Sequence, residues 1–212
     1  MPDASAPLVN FSDPVITAKG ERRAAVGFDT LKTLWFNTGT LCNIECKNCY
    51  ILSSPTNDAL VYLTEADVVS YLDEIDALGF GKVEIGFTGG EPFMNPDMIR
   101  LMDVSLERGH RVLVLTNAMK PMMRPRVQSG LLDLQARFGD QIEMRLSLDH
   151  YSRARHDEER GAGGFDSTIE GMRWLADNGF TLSAAGRSLW HESDAQARAG
   201  YKALFDGLGV DI

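Results

Sequence analysis

Cys42-Asn43-Ile44-Glu45-Cys46-Lys47-Asn48-Cys49-Tyr50 holds every cysteine of the 212-residue chain. Three cysteines placed at random in this length would fall within about eight residues on the order of once in a few hundred chains. An odd number without a fourth partner argues against a disulfide framework and against a four-thiolate zinc site. It points to a metal centre that keeps one position open. A four-iron cubane held by three thiolates leaves one iron free to bind something else. The run is polar and has no apolar periodicity, so it belongs on a loop, where three thiolates can converge on one face of a cluster. The blander alternatives are a redox-sensitive thiol patch and an incomplete zinc site.

Around this loop the chain alternates strand and helix. Leu31 to Asn37 reads as a buried first strand that delivers the chain into the cysteines. Thr64 is a helix N-cap, followed by Val68, Val69, Leu72, Ile75 and Leu78 at helical spacing, with Gly79 at the end. Lys82 to Phe87 is a second strand, ending at Gly89-Gly90-Glu91-Pro92. Asn95-Pro96 starts another helix, with proline in its first turn, and Gly109 ends it. Arg111 to Leu115 is a third strand, ending at Thr116-Asn117. A methionine- and proline-rich connection, Met119 to Pro125, leads to a helix over Val127 to Phe138. The fourth strand, Ile142 to Leu148, ends at Asp149-His150, and a polar, glycine-containing loop follows to Gly164. Ser167 to Asn178 is helical. Thr181 to Ala185 is a fifth strand ending near Arg187. The last helix spans Ser193 to Leu208, closed by Gly209. Val210-Asp211-Ile212 reads as the start of a sixth strand.

A β-α rhythm of about thirty residues implies parallel strands with right-handed helical crossovers. Both an open doubly wound sheet and a barrel satisfy it, and both put function at the carboxyl ends of the strands. The cysteines, the Gly-Gly-Glu-Pro turn, Thr116-Asn117, Asp149 and Arg187 all follow strands, so they share one rim. Ser147 and Asp149 alternate to the same face, opposite Leu148. The domain reading is a leader and candidate hairpin over 1–30 and one core domain over 31–212. Ile212 ends without a cap, turn or polar tail, so a C-terminal truncation at the sixth strand is expected.

The C-x3-C-x2-C spacing, with Gly89-Gly90-Glu91-Pro92 about forty residues on, resembles the paired motifs of the radical S-adenosylmethionine (radical SAM) superfamily. Ser147-Leu148-Asp149, followed by His156-Asp157, Arg160-Gly161 and Gly164-Phe165-Asp166, is similar to its anaerobic sulfatase-maturing and peptide-modifying subgroup. The likeness spans about residues 33–187. It departs at His150, where that subgroup often has glycine, and at Asn48, where an aromatic residue often precedes the third cysteine; here Tyr50 follows it. The resemblance selects a partial six-stranded (β/α)6 barrel. It implies that Cys42, Cys46 and Cys49 bind a [4Fe–4S] cluster. It also implies that the free iron chelates S-adenosylmethionine, whose reductive cleavage gives a 5′-deoxyadenosyl radical that removes a hydrogen atom from a substrate.

Gly89 and Gly90 are then expected to take the methionine amino group through the turn's backbone. Glu91 either fixes that turn or simply caps the next segment. Thr116 and Asn117 are candidates for ligand hydrogen bonds, Ser147 and Asp149 for the ribose hydroxyls or the carboxylate, and Arg187 for a fork onto the carboxylate. No residue is singled out for the hydrogen transfer itself. The implied partners are an electron donor such as flavodoxin or ferredoxin and a peptide or small-molecule substrate. The alternative is an iron–sulfur redox module that does not cleave S-adenosylmethionine. Against it, electron carriers shield their clusters with four protein ligands, and the Gly-Gly-Glu-Pro turn would be unexplained.

Composition adds limits. An apolar content of 44% suits one domain with a sizeable core. A net charge of −9 argues against a general nucleic-acid surface. No apolar run reaches the length of a membrane span, and the N-terminus lacks the pattern of a signal peptide. Cysteines kept for metal favour the reducing cytoplasm.

Overall fold

The computed structural model describes residues 13–27 and 29–212, and the chain divides after Leu31 into two units. Most of the expected leader over 1–14 lies outside the described residues. In the first unit the hairpin around Lys19-Gly20-Glu21 is reduced to one antiparallel bridge, Ile16 to Arg22. Asp13 closes its start by accepting the Val15 and Ile16 N–H groups at 2.7 and 2.8 Å. Residues 23–27 form no strand.

The second unit, Lys32–Ile212, is built on five parallel strands in sequential order: β1 (Thr33–Asn37), β2 (Glu84–Thr88), β3 (Arg111–Thr116), β4 (Ile142–Ser147) and β5 (Thr181–Ala185). Six α-helices connect or follow them: α1 (Glu65–Leu78), α2 (Met98–Glu107), α3 (Pro125–Phe138), α4 (Arg153–Arg160), α5 (Gly164–Asp177) and α6 (Asp194–Leu208). This is the expected parallel β-α arrangement, with five of the six strands of the partial barrel. Local chemistry sets the helix ends. Thr64 and Asp67 form a capping box at α1, Ser193 and Gln196 another at α6, and Gly79 and Gly209 close these helices in the left-handed conformation.

Alternation sorts the strands into two faces. Phe36, Ile85, Phe87, Val112, Val114, Ile142, Met144 and Leu146 are buried. Phe36 meets Tyr71 of α1, which identifies theirs as the helix-covered side. The other face carries Trp35, Asn37, Thr88, Leu115, Arg145, Ser147 and Ser183. The first strand was expected to be buried, but it is an edge strand paired only with β2, and Trp35 is 45% exposed. Its ring lies over Gly86, where a Cβ would come within 2.5 Å.

Three further expectations are corrected. The helix expected from Asn95-Pro96 begins at Met98. Asn95 still serves the approach to α2, its Oδ1 accepting Asp97 N at 2.9 Å, while its Nδ2 donates to the carbonyls of Thr38 and Leu63, at 3.3 and 2.8 Å, and Pro92–Met94 is a 3-10 turn. Val210-Asp211-Ile212 is not a strand. Val210 N donates to the Phe205 carbonyl and, with Gly209, completes the C-terminal cap of α6. The loop expected up to Gly164 contains α4, and α5 begins at Gly164 itself. The α4 sequence Arg-Ala-Arg-His-Asp-Glu-Glu-Arg has no apolar stripe to betray a helix; its buried face is His156 and Glu159.

His156 is fully buried against Phe165, and neither ring nitrogen meets a partner among the described residues. Burial, reinforced by the Arg160 charge, pushes its pKa down from 6.5 to about 4. The folded state therefore holds a neutral imidazole that the unfolded state would protonate. The stability this contributes is complete above pH 6.5 and is lost as pH falls toward 4, up to about 3 kcal/mol. We expect the melting temperature to fall steeply over that window and the slope to flatten in His156→Phe. Equal slopes in the two proteins would contradict this assignment.

Candidate metal centre

The loop after β1 folds back on itself without regular structure. Leu41 bridges to Ser54, and Cys42 N donates to the Ser54 carbonyl at 3.1 Å. Cys49 N donates to the Cys46 carbonyl at 3.2 Å, and Ser53 N donates to the Cys49 sulfur at 3.2 Å. These contacts turn all three thiols into one cavity of about 110 Å³ over the polar face of the sheet. Larger clefts of about 510 Å³ lie between β5 and α6 and between α2 and α3, without a thiol, and one of about 430 Å³ is lined by Cys46 and Cys49 together with Glu158 and Glu159.

The same cavity is lined by Gly89, Gly90, Asn117, Ser147 and Arg187, which come from the ends of β2 to β5. The structure thus gathers these predicted residues on one rim. It places Glu91, Thr116 and Asp149 behind that rim. Glu91 is buried; its Oε1 accepts from Thr116 Oγ1 at 2.7 Å and from Phe93 N at 3.2 Å, and its Oε2 accepts from Asn117 N at 2.8 Å. It both ties the turn to the end of β3 and caps the 3-10 turn. Burial holds its carboxyl above the usual range, although the donors pull it back.

The two glycines of the turn are required by the chain itself. A Cβ on Gly90 would stand 2.2 Å from the Leu41 carbonyl oxygen, and one on Gly89 2.7 Å from that of Gly39. Gly90 N donates to the Gly39 carbonyl at 2.9 Å and Glu91 N to the Leu41 carbonyl at 3.1 Å. The Gly-Gly-Glu-Pro turn and the strand-to-cysteine connection are therefore zipped together by backbone hydrogen bonds, and no side chain fits between them.

Behind the thiols lies an ionic quartet. Asp149 accepts both Nε and Nη2 of Arg160, at 2.8 and 3.0 Å, and pairs with Arg187 Nε at 3.2 Å. Arg187 Nη1 reaches Glu159 at 3.3 Å. Arg187 is thus already engaged by Asp149 and Glu159, and Asp149 is saturated by arginine. Arg160 lines the thiol cavity. Sequence reasoning noted Arg160 only as part of a motif and passed over Glu159, because both sit on the all-polar α4.

Burial pushes the Cys42 thiol up to about 12, with the nearby Glu91 carboxylate adding to the rise. It raises Cys46 as well, while Arg160 pulls both back. Loading metal must therefore displace protons from these thiols. The donor set fits a cluster. Three thiols share one cavity, yet no three His, Cys, Asp or Glu side chains among the described residues converge on a single ion position. A cubane takes one thiolate per iron, so its ligands stand apart across a face instead of meeting at a point. Arg160 and Arg187 would supply positive charge beside the thiolates once metal has displaced their protons.

Residues 36–189 match the family model described as the radical SAM superfamily, and the chain belongs to that family. It is 30% identical over 158 residues to the antilisterial bacteriocin subtilosin biosynthesis protein AlbA of Bacillus subtilis, covering 72% of this chain and 33% of that protein. It is 29% identical over 154 residues to the mycofactocin maturase MftC of Mycobacterium tuberculosis, covering 73% and 37%. The chain therefore spans about a third of the length of these curated relatives. The crystal structure of Streptococcus suis SuiB bound to S-adenosylmethionine superposes with a TM-score of 0.67 at 16% identity, over 86% of this chain and 39% of that one. The family's cofactors are a [4Fe–4S] cluster and S-adenosylmethionine.

Proposed function

We propose that this chain is the core of a radical SAM enzyme that modifies a peptide or protein. The observation that carries the reading is the convergence of all three cysteines, the Gly-Gly-Glu-Pro turn and Arg160 on one cavity at the strand ends. When bound, the cofactor pair supplies reductive cleavage of a carbon–sulfur bond and a carbon-centred radical able to abstract hydrogen. Cys42, Cys46 and Cys49 would hold the cluster. Gly89 and Gly90 offer backbone edges to the S-adenosylmethionine amino group, while Asn117 and Ser147 offer side-chain polar atoms on the same wall. Glu91, Thr116 and Asp149 act from behind, by fixing the turn, the β3 end and Arg160. Glu91 thus belongs to the scaffold of the site.

The peptide half of the reading rests on relatives. AlbA serves bacteriocin biosynthesis, MftC is a maturase, and SuiB has been solved with its precursor peptide SuiA. A low-potential donor such as flavodoxin or ferredoxin would supply the electron, in a reducing cytoplasm. No helix among the described residues is long and apolar enough to cross a membrane. The test is isotopic. The reconstituted, reduced protein is given S-adenosylmethionine with deuterated cellular peptides, or separately with deuterated small metabolites. Deuterium should enter 5′-deoxyadenosine from the peptide pool. Transfer only from the small metabolites would overturn the peptide assignment.

A further inference from the structure

The cysteine loop is gripped from outside by the end of α4. Glu159 is only 3% exposed. Its two carboxylate oxygens accept from Asn48 Nδ2 at 2.9 and 2.8 Å. Its own carbonyl accepts Lys47 N at 2.9 Å, and Arg187 Nη1 donates to the Asn48 carbonyl at 2.8 Å. Asn48 itself is exposed, and it sits between Cys46 and Cys49. A buried carboxylate spending both oxygens on a surface amide needs a reason, since it could be satisfied by arginine alone. Cys42 has separate anchors: it is 4% exposed, and Asn117 Nδ2 lies 3.9 Å from its sulfur.

We propose that Glu159 is a positioning residue that acts through Asn48 to hold Cys46 and Cys49 in their ligating arrangement, independently of Cys42. The proposal rests on the reading of these cysteines as cluster ligands. A loop between two ligands, with no regular structure of its own, would otherwise sample many conformations, and each would have to be abandoned before a cluster could seat. The clamp reaches the second and third thiols from α4, so the site is partly organised before any iron arrives.

The test reads each thiol separately. In the metal-free chain of 212 residues, alkylation is followed by peptide mass spectrometry for Cys42, Cys46 and Cys49. Glu159→Ala is expected to speed labelling of Cys46 and Cys49 about tenfold and leave Cys42 unchanged. Asn48→Ala, at an exposed position where misfolding is not at issue, should give the same pattern. The double variant should be no faster than Glu159→Ala alone, because that substitution already removes the Asn48 contact along with the Arg187 pair. Glu159→Gln keeps one acceptor and should fall between. In the reconstituted protein the same variants should lose iron to a chelator about tenfold faster. An unchanged profile in Asn48→Ala, or an equal rise at all three cysteines, would overturn the proposal. The labelling needs neither cluster nor S-adenosylmethionine, so its outcome is separable from that of the proposed function.

Discussion

Cys46→Ala is expected to abolish assembly of a stable cubane and, with it, all formation of 5′-deoxyadenosine. Three protein thiolates are the complete ligand supply among the described residues, because the chain has no fourth cysteine to recruit. Losing one leaves two of the four irons without a protein thiolate. The loss should be of activity and not of fold. Cys46 is only half-buried on an irregular loop, and its removal vacates no packed core. Iron analysis, visible absorption and melting temperature would show this together: iron near zero, the cluster band absent, the metal-free melting temperature within a few degrees of wild type. Wild-type iron content with cofactor cleavage in this variant would break the assignment of the centre.

Glu91→Ala should be the most damaging substitution for stability at the site. It removes one carboxylate and strands three buried donors: the Thr116 hydroxyl and the N–H groups of Asn117 and Phe93. Each orphaned donor costs about 1–3 kcal/mol, and the three are coupled, so the expected total is about 3–5 kcal/mol. For a chain of this size that lowers the melting temperature by roughly 6–20 °C. The damage would also reach the cavity, because Asn117 lines it and its backbone is held by Glu91. Glu91→Gln keeps one acceptor but turns an amide toward a donor, so it should lose about half as much. A melting temperature unchanged by either substitution would show that the carboxylate does not hold the turn.

Most of the fold was legible because strands and helices alternate with clear punctuation. Thr181 to Ala185 is the fifth strand as read, and Thr64, Gly79, Ser193 and Gly209 mark their helix ends as expected. What failed has a common cause. Apolar periodicity reports burial against a hydrophobic layer, and α4 buries a histidine and a glutamate instead. A stretch so uniformly polar reads as a loop, and the sequence pattern hides the residues that grip the cysteines. Val210 shows the converse: an apolar residue read as a strand start that serves a helix cap. The cysteine motif was legible as chemistry because its spacing is rare, and its loop placement follows from the same polar composition. The division between residues lining the cavity and residues behind it was not legible. Glu91 and Asn117 both follow strands, and only the hydrogen bonds separate a scaffold carboxylate from a wall amide.

The central claim is tested most directly by anaerobic reconstitution with iron and sulfide, followed by dithionite reduction in the presence of S-adenosylmethionine and chromatography for 5′-deoxyadenosine. The account predicts 5′-deoxyadenosine that depends on reductant and disappears in the Cys42, Cys46 and Cys49 alanine variants. A fully loaded, reducible cluster that never yields 5′-deoxyadenosine, here and in a longer version of the chain, would contradict it and leave a redox module in its place.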